Sequence, residues 1–350
     1  MNPLRALAPR AGAIPFVPLG QFPTPVERVG GVLGERVELW VKRDDRSGSS
    51  GLYGGNKVRK LEFLLGDARA RGAKRLVTLG GFGSHHVLAT AIYGQAQGYG
   101  VDAIVFPQPI TGHVKETVLA GAAAGCTFHA VNGYAAVVPL SLSLRARSGS
   151  HWIAPGGSSP TGTLGYVAAA LELAEQVRAG RLPVPEVIYL ALGSCGTVAG
   201  LLVGLAVAGL PVPLVAVRVV PSIVCNRRRT VALALQTARL LARHGVSVPP
   251  LPLDSLRVDH RFFGGAYGLA TPQAEAAVER AARGGLHLET TYTGKAFAAL
   301  CADADAGRLD GKAVLFLDTF SSADLGPLLA AAPPPSSLPP RLAALFGAAG

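Results

Sequence analysis

The chain has 350 residues, of which 49% are hydrophobic and 16% are charged, with 33 lysines and arginines against 22 aspartates and glutamates. This composition excludes an intrinsically disordered chain, which would combine low hydrophobicity with dense charge, and the 44 glycines follow no collagen-like period. No motif that reads nucleic acid accompanies the net charge of +11, so we expect surface arginines or an anionic small ligand rather than a nucleic-acid partner.

Strand-like and helix-like segments alternate along most of the chain, which is typical of a parallel α/β sheet. The predicted strands are 37–42, 75–79, 103–106, 187–192, 214–220 and 313–317. The predicted helices are 58–71, 86–97, 115–124, 164–178, 198–210, 229–244, 272–283 and 294–305. The proline-rich segment 333–340 predicts an extended, poorly structured tail.

A segment of 31 residues, 187–217, contains no charged side chain and is long enough to cross a membrane. Its order of strand, glycine turn, helix, prolines and strand instead predicts a unit buried within a parallel sheet. Pro15 and Pro18 interrupt the apolar residues near the N-terminus, which makes a poor signal-peptide core. Four cysteines lie far apart without metal-ligand spacing, which favours reduced thiols. We therefore expect a cytoplasmic protein without a membrane partner or a metal site.

Glycine-rich turns after strands are candidate ligand sites, because ligands of parallel sheets bind at the carboxyl ends of the strands. The turn Gly193-Ser-Cys-Gly-Thr197 lies between an apolar strand and an apolar helix, where small residues let backbone N–H groups surround an anion. It matches neither a Walker A loop nor the dinucleotide fingerprint. For this segment alone, a phosphate cradle and a ligand-free tight turn both stay open.

The string Gly54-Gly-Asn-Lys-Val-Arg-Lys60 opens a predicted helix. A lysine near backbone dipoles and other cations can have a lowered pKa and serve as the nucleophilic amine of a Schiff base. Taken alone, Lys57 fits an ordinary surface lysine better. The order in which this string and further motifs occur along the chain changes the interpretation of Lys57.

The order of several motifs resembles one family of enzymes that depend on pyridoxal 5′-phosphate (PLP). The motifs are Lys42-Arg-Asp-Asp45, Gly54-Gly-Asn-Lys-Val-Arg-Lys-Leu-Glu62, Gly80-Gly-Phe-Gly-Ser84, Gly156-Gly-Ser158 with Leu164-Gly-Tyr166, the 193–197 turn, and Tyr292-Thr-Gly-Lys295. The chain resembles the D-cysteine desulfhydrases and 1-aminocyclopropane-1-carboxylate (ACC) deaminases from Pro23 to about Thr319. The 54–62 string is highly specific, whereas the glycine turns are specific only in their order.

The resemblance implies an α/β protein of two domains, each with a parallel sheet flanked by helices. This is the tryptophan-synthase-β-like fold, or PLP fold type II. Residues 1–61 and 171–330 would form the large PLP-binding domain, residues 62–170 the small domain, and residues 331–350 a proline-rich tail. PLP would bind in the cleft between the domains. The implied partners are a small amino-acid substrate and a second copy of the chain in a homodimer.

The resemblance also implies which residues hold the cofactor. Lys57 matches the Schiff-base lysine, and Asn56 is its neighbour in the motif. Lys60 would reach the cofactor phosphate together with the glycine turn. The turn contributes Gly193, Ser194, Cys195, Gly196 and Thr197.

Three further residues match positions that face the substrate or the cofactor ring. Ser84 would contact the substrate carboxylate, and it is also a candidate nucleophile or proton donor. Tyr292 would stack near the cofactor ring, and Tyr267 matches a second active-site tyrosine. Core aromatics with satisfied hydroxyls are the alternative for both tyrosines.

Two threonines favour one reaction of the family. The deaminases carry a glutamate at the position of Thr293, whose charge keeps the pyridine nitrogen of the cofactor protonated. A threonine hydroxyl cannot do so, and the weaker electron sink suffices when a good leaving group such as thiolate departs. Thr319 also resembles the desulfhydrases, and we expect both threonines to contact the cofactor. The expected reaction is β-elimination, with D-cysteine converted to pyruvate, sulfide and ammonia.

Two departures from the family pattern leave other activities open. His85 stands where the family has an asparagine, so it would either donate to the ring oxygen of the cofactor or reshape the pocket. A metal site of His85 with His86 is disfavoured because adjacent residues at a helix start diverge. After Thr319, Phe320-Ser321-Ser322 stands where the family has a Gly-Gly pair, and it would narrow the wall of the pocket there. The alternatives are an ACC deaminase, a lyase for another β-substituted amino acid, and a non-catalytic PLP-binding protein.

Overall fold

A computed structural model describes residues 2–48 and 53–347. The strands are β1 Val26–Arg28, β2 Glu38–Arg43, β3 Arg75–Gly81, β4 Gly100–Phe106, β5 Cys126–Ala130, β6 Ser150–Trp152, β7 Val187–Leu192, β8 Leu214–Arg218, β9 Leu256–Asp259 and β10 Ala313–Asp318. The helices are α1 Asn56–Ala70, α2 His85–Ala96, α3 Gly112–Ala123, α4 Tyr134–Ala146, α5 Pro160–Arg178, α6 Gly196–Ala208, α7 Arg227–Arg243, α8 Pro272–Ala282, α9 Thr293–Asp305, α10 Gly326–Ala330 and α11 Pro340–Ala343.

The strands form two sheets with helices packed against them. The larger sheet has the order β1-β2-β10-β7-β8-β9, with only the β1–β2 pair antiparallel within it. The smaller sheet has the order β5-β4-β3-β6 and is parallel throughout. Its strands occupy one continuous part of the sequence, between β2 and β7. The predicted α/β class with two parallel sheets is confirmed, while the predicted domain limits stay a prediction.

The long uncharged segment is the centre of the larger core. It forms β7, α6 and β8, and every residue of α6 from its first turn to Leu205 is buried. Two glycines let α6 approach α5 closely, since a Cβ at Gly200 would lie 2.4 Å from Tyr166 Cβ and one at Gly204 would lie 2.6 Å from Ala170 Cβ. Within the described residues, no helix is long and apolar enough to cross a membrane.

Several elements were not predicted from the sequence. Strands β5, β6 and β9 are three to five residues long, and helix α4 contains Pro139, so periodicity gives them little signal.

The prediction of a poorly structured tail is wrong for the described part of the chain. There, a short 3-10 helix and α11 bring Leu338 and Leu342 into the core of the smaller sheet, where both are buried. Burial of these two apolar side chains stabilises the segment despite the prolines around them.

A buried ionic network fixes the position of α1. Arg59 on α1 donates to both carboxylate oxygens of Asp44, at 2.8–3.1 Å, and to Glu172 on α5 at 2.9 and 3.0 Å. Tyr166 donates to Asp44 at 2.6 Å, and Lys42 pairs with Glu172. Burial alone would raise the pKa of Glu172, but the charges of Arg59 and Lys42 outweigh it and lower the pKa to about 2. Glu172 is therefore ionised at neutral pH, and the network joins β2, α1 and α5.

We predict that Arg59→Leu lowers the free energy of unfolding of the protein by about 3–5 kcal/mol, because the substitution leaves two buried carboxylates without their guanidinium. Denaturation with urea measures this change. The matched control is Arg71→Leu at the end of the same helix, where an exposed pair with Asp67 is removed, and a change below about 1 kcal/mol is expected. Equal effects of the two substitutions would contradict the role assigned to the network.

Candidate active site

One cavity of about 160 Å³ opens where the loops of the two sheets meet. It is lined by the start of α1, the β3–α2 and β7–α6 turns, and residues that precede α9 and follow β10. Most of the residues singled out from the sequence line it: Asn56, Lys57, Ser84, His85, Gly193, Ser194, Cys195, Thr197, Tyr267, Tyr292, Thr293 and Thr319. Lys60 and Gly196 are not among the lining residues: Gly196 is the first residue of α6, and a Cβ there would lie 3.0 Å from Lys60 Nζ. The structure brings these residues together, and their individual roles stay predictions.

The glycines before α1 allow three chain segments to touch. A Cβ at Gly54 would lie 2.2 Å from the carbonyl oxygen of Asp45. Gly55 has a φ of 82°, and a Cβ there would lie 2.8 and 2.9 Å from the carbonyl oxygens of Phe320 and Thr319. Only glycine fits such close backbone contacts in the left-handed region. The motif therefore sets the start of α1, and with it Lys57, directly against the end of β10.

Lys57 lines the cavity in surroundings that destabilise its protonated form. Its Nζ donates to Asn56 Oδ1 at 2.5 Å, and Asn56 Nδ2 donates to Thr197 Oγ1 at 3.1 Å. Burial lowers the pKa of Lys57 to about 8, while the nearby Glu289 carboxylate opposes this shift. A useful fraction of the amine is therefore neutral, and hence nucleophilic, near neutral pH.

The β7–α6 turn forms a compact cradle. A Cβ at Gly196 would lie 2.6 Å from Ser158 Oγ and 3.0 Å from Lys60 Nζ, so the position admits only glycine without displacement. Ser158 donates to Ser194 Oγ at 2.8 Å and accepts from Gly196 N at 3.2 Å. No side chain caps the N-terminus of α6, which faces the cavity. These donors and the positive end of the helix suit a phosphate group.

Cys195 has an unusual backbone in this turn. Its φ is 69°, which makes it the one non-glycine residue in the left-handed region within the described chain. A hydrogen bond with Cys225 lowers the pKa of Cys195 to about 7 and raises that of Cys225. Cys195 therefore adopts a backbone conformation that normally requires glycine, with its thiol buried.

Lys60 is held beneath the cradle. It is fully buried and donates to the Gly156 carbonyl oxygen at 3.1 Å. Burial, aided by the charge of Lys57, lowers its pKa well below the usual value. An anion bound in the cradle would be the counter-ion of Lys60 and would stabilise its protonated form.

Glu289 forms the anionic side of the cavity and was missed in the sequence. Its carboxylate accepts from the backbone N–H groups of Thr291, Tyr292 and Thr293 at 2.7–2.8 Å and lies 3.2 Å from Thr293 Oγ1. These bonds cap the start of α9. A carboxylate four residues before the first residue of α9 was the available signal, but its bonds to α9 become visible only in the folded chain.

The two tyrosines form a pair rather than separate core contacts. Tyr267 Oη and Tyr292 Oη are 2.7 Å apart, and their rings meet edge to face with centroids 6.0 Å apart. Lys57 Nζ lies 6.0 Å from the centroid of the Tyr292 ring. Tyr292 therefore borders the space next to the lysine amine.

The start of α2 places Ser84, His85 and His86 in the cavity wall. Ser84 caps the helix by accepting from Val87 N at 3.4 Å. His86 is 3% exposed, and its Nε2 lies 2.9 Å from Thr78 Oγ1, whose hydrogen goes to a backbone carbonyl. Because Nε2 must then be the donor, Nδ1 is an acceptor, and it has no partner among the described residues. Burial, with the charges of Lys57 and Lys60, lowers the pKa of His86 and keeps the ring neutral.

His85 has partners on both ring nitrogens. Its Nδ1 bonds to the hydroxyl of Tyr53, and its Nε2 lies 2.6 Å from Nε2 of His113. The Phe320 ring lies against both histidines, with centroids 5.2 and 5.9 Å away. The prediction that His85 donates to the ring oxygen of a cofactor stays a prediction, and that bond would compete with these two. Tyr53 and His113 were missed because their contacts with His85 span 32 and 28 residues.

The residues present fit PLP. The cradle around Gly196 is a space that a Cβ would fill, and the buried Lys60 lies beneath it. Lys57 offers the amine for the covalent linkage. The unpartnered Nδ1 belongs to His86, which lines the cavity and whose pKa is lowered by burial and by the charges of Lys57 and Lys60. The cradle, Lys60 and Ser158 would hold the phosphate, and Lys57, Tyr292 and Thr293 would surround the ring.

We predict that labelling of Lys57 by acetic anhydride accelerates as the pH rises through about 8, because the neutral amine forms there. Mass spectrometry of the Lys57 peptide from cofactor-free protein measures the rate. Glu289→Gln removes the charge that opposes the shift and should move the midpoint to a lower pH. The exposed Glu275→Gln should leave it unchanged. A midpoint near 10.5, the ordinary lysine value, would contradict this assignment.

We predict that Gly196→Ala weakens PLP binding by at least about tenfold, since one well-placed contact to a charged group contributes about 1.5–3 kcal/mol. Equilibrium titration of cofactor-free protein with PLP, followed by absorbance, measures the dissociation constant. Gly112→Ala is the matched control, because Gly112 also begins a helix and its Cβ would meet no atom within 4 Å. Unchanged affinity in the Gly196 variant would show that the phosphate binds elsewhere.

Comparison with known proteins agrees with this geometry. The family model "Pyridoxal-phosphate dependent enzyme" matches residues 17–319. The chain is 34% identical over 336 residues to nocardicin C-9′ epimerase from Nocardia uniformis subsp. tsuyamanensis, covering 92% of this chain and 98% of that protein. It is 33% identical over 293 residues to D-cysteine desulfhydrase from Klebsiella pneumoniae, covering 79% of this chain and 85% of that protein. The crystal structure of an ACC deaminase homologue superimposes with a TM-score of 0.77 at 28% identity, covering 94% of this chain and 99% of that one. The chain therefore belongs to the pyridoxal-phosphate-dependent enzymes of fold type II.

Proposed function

We propose that the enzyme catalyses β-elimination from a small amino acid, with D-cysteine and one water molecule converted to pyruvate, sulfide and ammonia. Its relatives include an epimerase and a desulfhydrase at nearly equal identity. Overall identity therefore does not select the reaction. The residues of the cavity must do so.

The observation that carries the proposal is the hydroxyl of Thr293. It lies at the start of α9, is 1% exposed, and is 3.2 Å from the Glu289 carboxylate. That carboxylate is already occupied by three backbone N–H donors. A neutral hydroxyl thus stands where the ACC deaminases place a glutamate. This supports chemistry with a good β-leaving group, which needs a weaker electron sink than opening of a cyclopropane ring.

PLP, when bound, withdraws electrons from the α-carbon of the substrate. Lys57 then removes the α-proton, a step that its pKa of about 8 favours near neutral pH. Ser84 and the first turn of α2 bind the substrate carboxylate, where the positive end of the helix attracts an anion. The Tyr267–Tyr292 pair borders the cavity beside the lysine.

We further propose that the protein is a cytoplasmic homodimer. All four cysteines are buried free thiols, which supports a reducing compartment. Val138 and Leu142, four residues apart on α4, are 61% and 59% exposed and offer an apolar surface for self-association. Light scattering would show twice the monomer mass of 35.9 kDa.

We predict that the PLP-loaded enzyme releases sulfide and pyruvate from D-cysteine, and that Lys57→Ala lowers kcat by about 10³-fold or more because it removes the proton acceptor. Lys74→Ala, at an exposed lysine, is the control and should retain full activity. Colorimetric assays of both products measure the rates.

Other outcomes would replace the proposal with a defined alternative. Formation of 2-oxobutanoate from ACC at a comparable rate would favour a deaminase. Elimination from another β-substituted amino acid, with D-cysteine inert, would keep the reaction and change the substrate. Bound PLP with no spectral response to any amino acid would indicate a non-catalytic protein.

A further inference from the structure

Two cysteines lie at the starts of two neighbouring helices. Cys195 directly precedes α6, and Cys225 lies two residues before the first residue of α7. Strands β7 and β8, which lead into these helices, are adjacent and parallel, and α6 packs against α7. Both helices therefore begin at the same edge of the larger sheet, and the two cysteines belong to one buried core.

The two thiols are in direct contact. They hydrogen-bond to each other, and the hydroxyl of Thr230 on α7 bonds to both of them. Cys225 is 0% exposed, whereas Cys195 is 7% exposed and lines the cavity. A small molecule that enters the cavity can therefore reach Cys195 but not Cys225. We call these two residues the Cys195–Cys225 thiol pair.

The backbone of Cys195 is an independent sign that its side chain has a role. The left-handed conformation at a φ of 69° is costly for a residue with a Cβ, and glycine would adopt it without that cost. Backbone geometry therefore does not account for a cysteine at this position of the cradle. Strained backbone of this kind is concentrated at ligand clamps and switch regions.

Cys195 is the more reactive member of the pair. Its hydrogen bond with Cys225 is the main cause that lowers the pKa of Cys195 to about 7, and the same contact raises the pKa of Cys225. The thiolate, which a lower pKa favours, is the form that reacts with oxidants. Burial instead raises the pKa of the two remaining cysteines, Cys126 and Cys301. These two serve as internal controls.

We propose that the Cys195–Cys225 thiol pair is an oxidative modification site, at which a peroxide forms a disulfide that weakens the binding of PLP. Cys195 is the attacking residue, and Cys225 is the resolving residue. The proposal goes beyond the proposed β-elimination and does not depend on which reaction the enzyme catalyses. It rests on the assignment of the β7–α6 turn as the phosphate cradle. In a reducing compartment the pair stays reduced until an oxidant is present.

The atoms and electrons of the oxidation balance. The Cys195 sulfur loses its proton and attacks one oxygen of hydrogen peroxide, the O–O bond breaks, and the departing hydroxide takes the proton to form water. The Cys225 sulfur then gives up its proton and attacks the sulfenic acid on Cys195. An S–S bond forms, the S–O bond breaks, and the second hydroxide leaves as water with that proton. Two thiols lose two electrons, and one peroxide is reduced to two water molecules.

A disulfide would change the phosphate cradle. Two bonded sulfurs lie closer together than two hydrogen-bonded thiols, so the β7–α6 turn must move toward the start of α7. The turn has little room for this, since a Cβ at Gly196 would already lie 2.6 Å from Ser158 Oγ. The movement displaces the N–H donors that suit a phosphate. Binding of PLP and formation of the disulfide therefore oppose each other, and each weakens the other to the same extent.

The test begins with wild-type protein without PLP. Hydrogen peroxide is added, the remaining thiols are alkylated after unfolding, and tryptic peptides are analysed by mass spectrometry without reductant. Trypsin cleaves after Arg218 and so separates Cys195 from Cys225. We expect the peptide 182–218 to be joined to the peptide 219–227 by a disulfide, while the other two cysteines are alkylated.

The effect of PLP supplies the second measurement. With PLP at about 100 times its dissociation constant, only about 1% of the protein is free of cofactor, and we expect the disulfide to form at least about tenfold more slowly. In the oxidised protein the dissociation constant for PLP should rise by about tenfold or more, which corresponds to loss of one hydrogen bond to a charged group. Dithiothreitol should restore the original affinity.

Cys225→Ser is the variant that isolates the resolving step. Without the second thiol, oxidation of Cys195 should stop at the sulfenic acid, which dimedone traps, and no disulfide should form. The matched control is Cys126→Ser, at a buried cysteine of the smaller sheet. This variant should form the Cys195–Cys225 disulfide at the wild-type rate.

Each result decides the inference. Peroxide treatment that leaves Cys195 and Cys225 unlinked, or that oxidises the control cysteines equally fast, would overturn the modification site. A disulfide that forms equally fast with PLP bound, or that leaves the PLP affinity unchanged, would overturn its effect on the cofactor. None of these measurements requires turnover. D-cysteine that proves inert would therefore overturn the β-elimination alone, and an absent disulfide would overturn this inference alone.

Discussion

The buried contact of Arg59 with Asp44 and Glu172 determines where the reactive part of the molecule lies. Arg59 follows Lys57 by two residues on α1, and its guanidinium bonds to one acidic group after β2 and one on α5. A buried arginine with two carboxylates tolerates little displacement, because any movement leaves a charge without its partner. The register and rotation of α1 are therefore fixed, and the direction of the Lys57 amine follows from them.

The other residues of the same string complete this arrangement. Gly54 and Gly55 let the chain touch the backbone at the end of β10, and Asn56 joins α1 to the β7–α6 turn. Glu62 accepts from the backbone N–H groups of Leu19 and Gly20 and anchors the N-terminal segment. One short string thus packs three segments together and carries the lysines predicted to link the cofactor and to hold its phosphate. This explains physically why it identifies the family more sharply than any glycine turn.

The sequence was sufficient for features that depend on local pattern. The alternation of apolar strands and helices predicted the α/β class, and the glycines and Lys57 predicted the ligand cavity. Features that depend on distant contacts could not be predicted. Tyr53 and His113 meet His85, and Ser158 meets Ser194, only in the folded chain, and the same holds for Glu289 at the cavity. The buried leucines near the C-terminus were hidden by the prolines around them.

The most direct test of the account is the identity of the lysine that binds PLP covalently. Reduction of the PLP-loaded enzyme with borohydride fixes the cofactor to its lysine, and peptide mass spectrometry then locates it. The account predicts the phosphopyridoxyl group on Lys57. A modification on the buried Lys60 or on Lys295, or no modified lysine in enzyme that retains bound PLP, would contradict it.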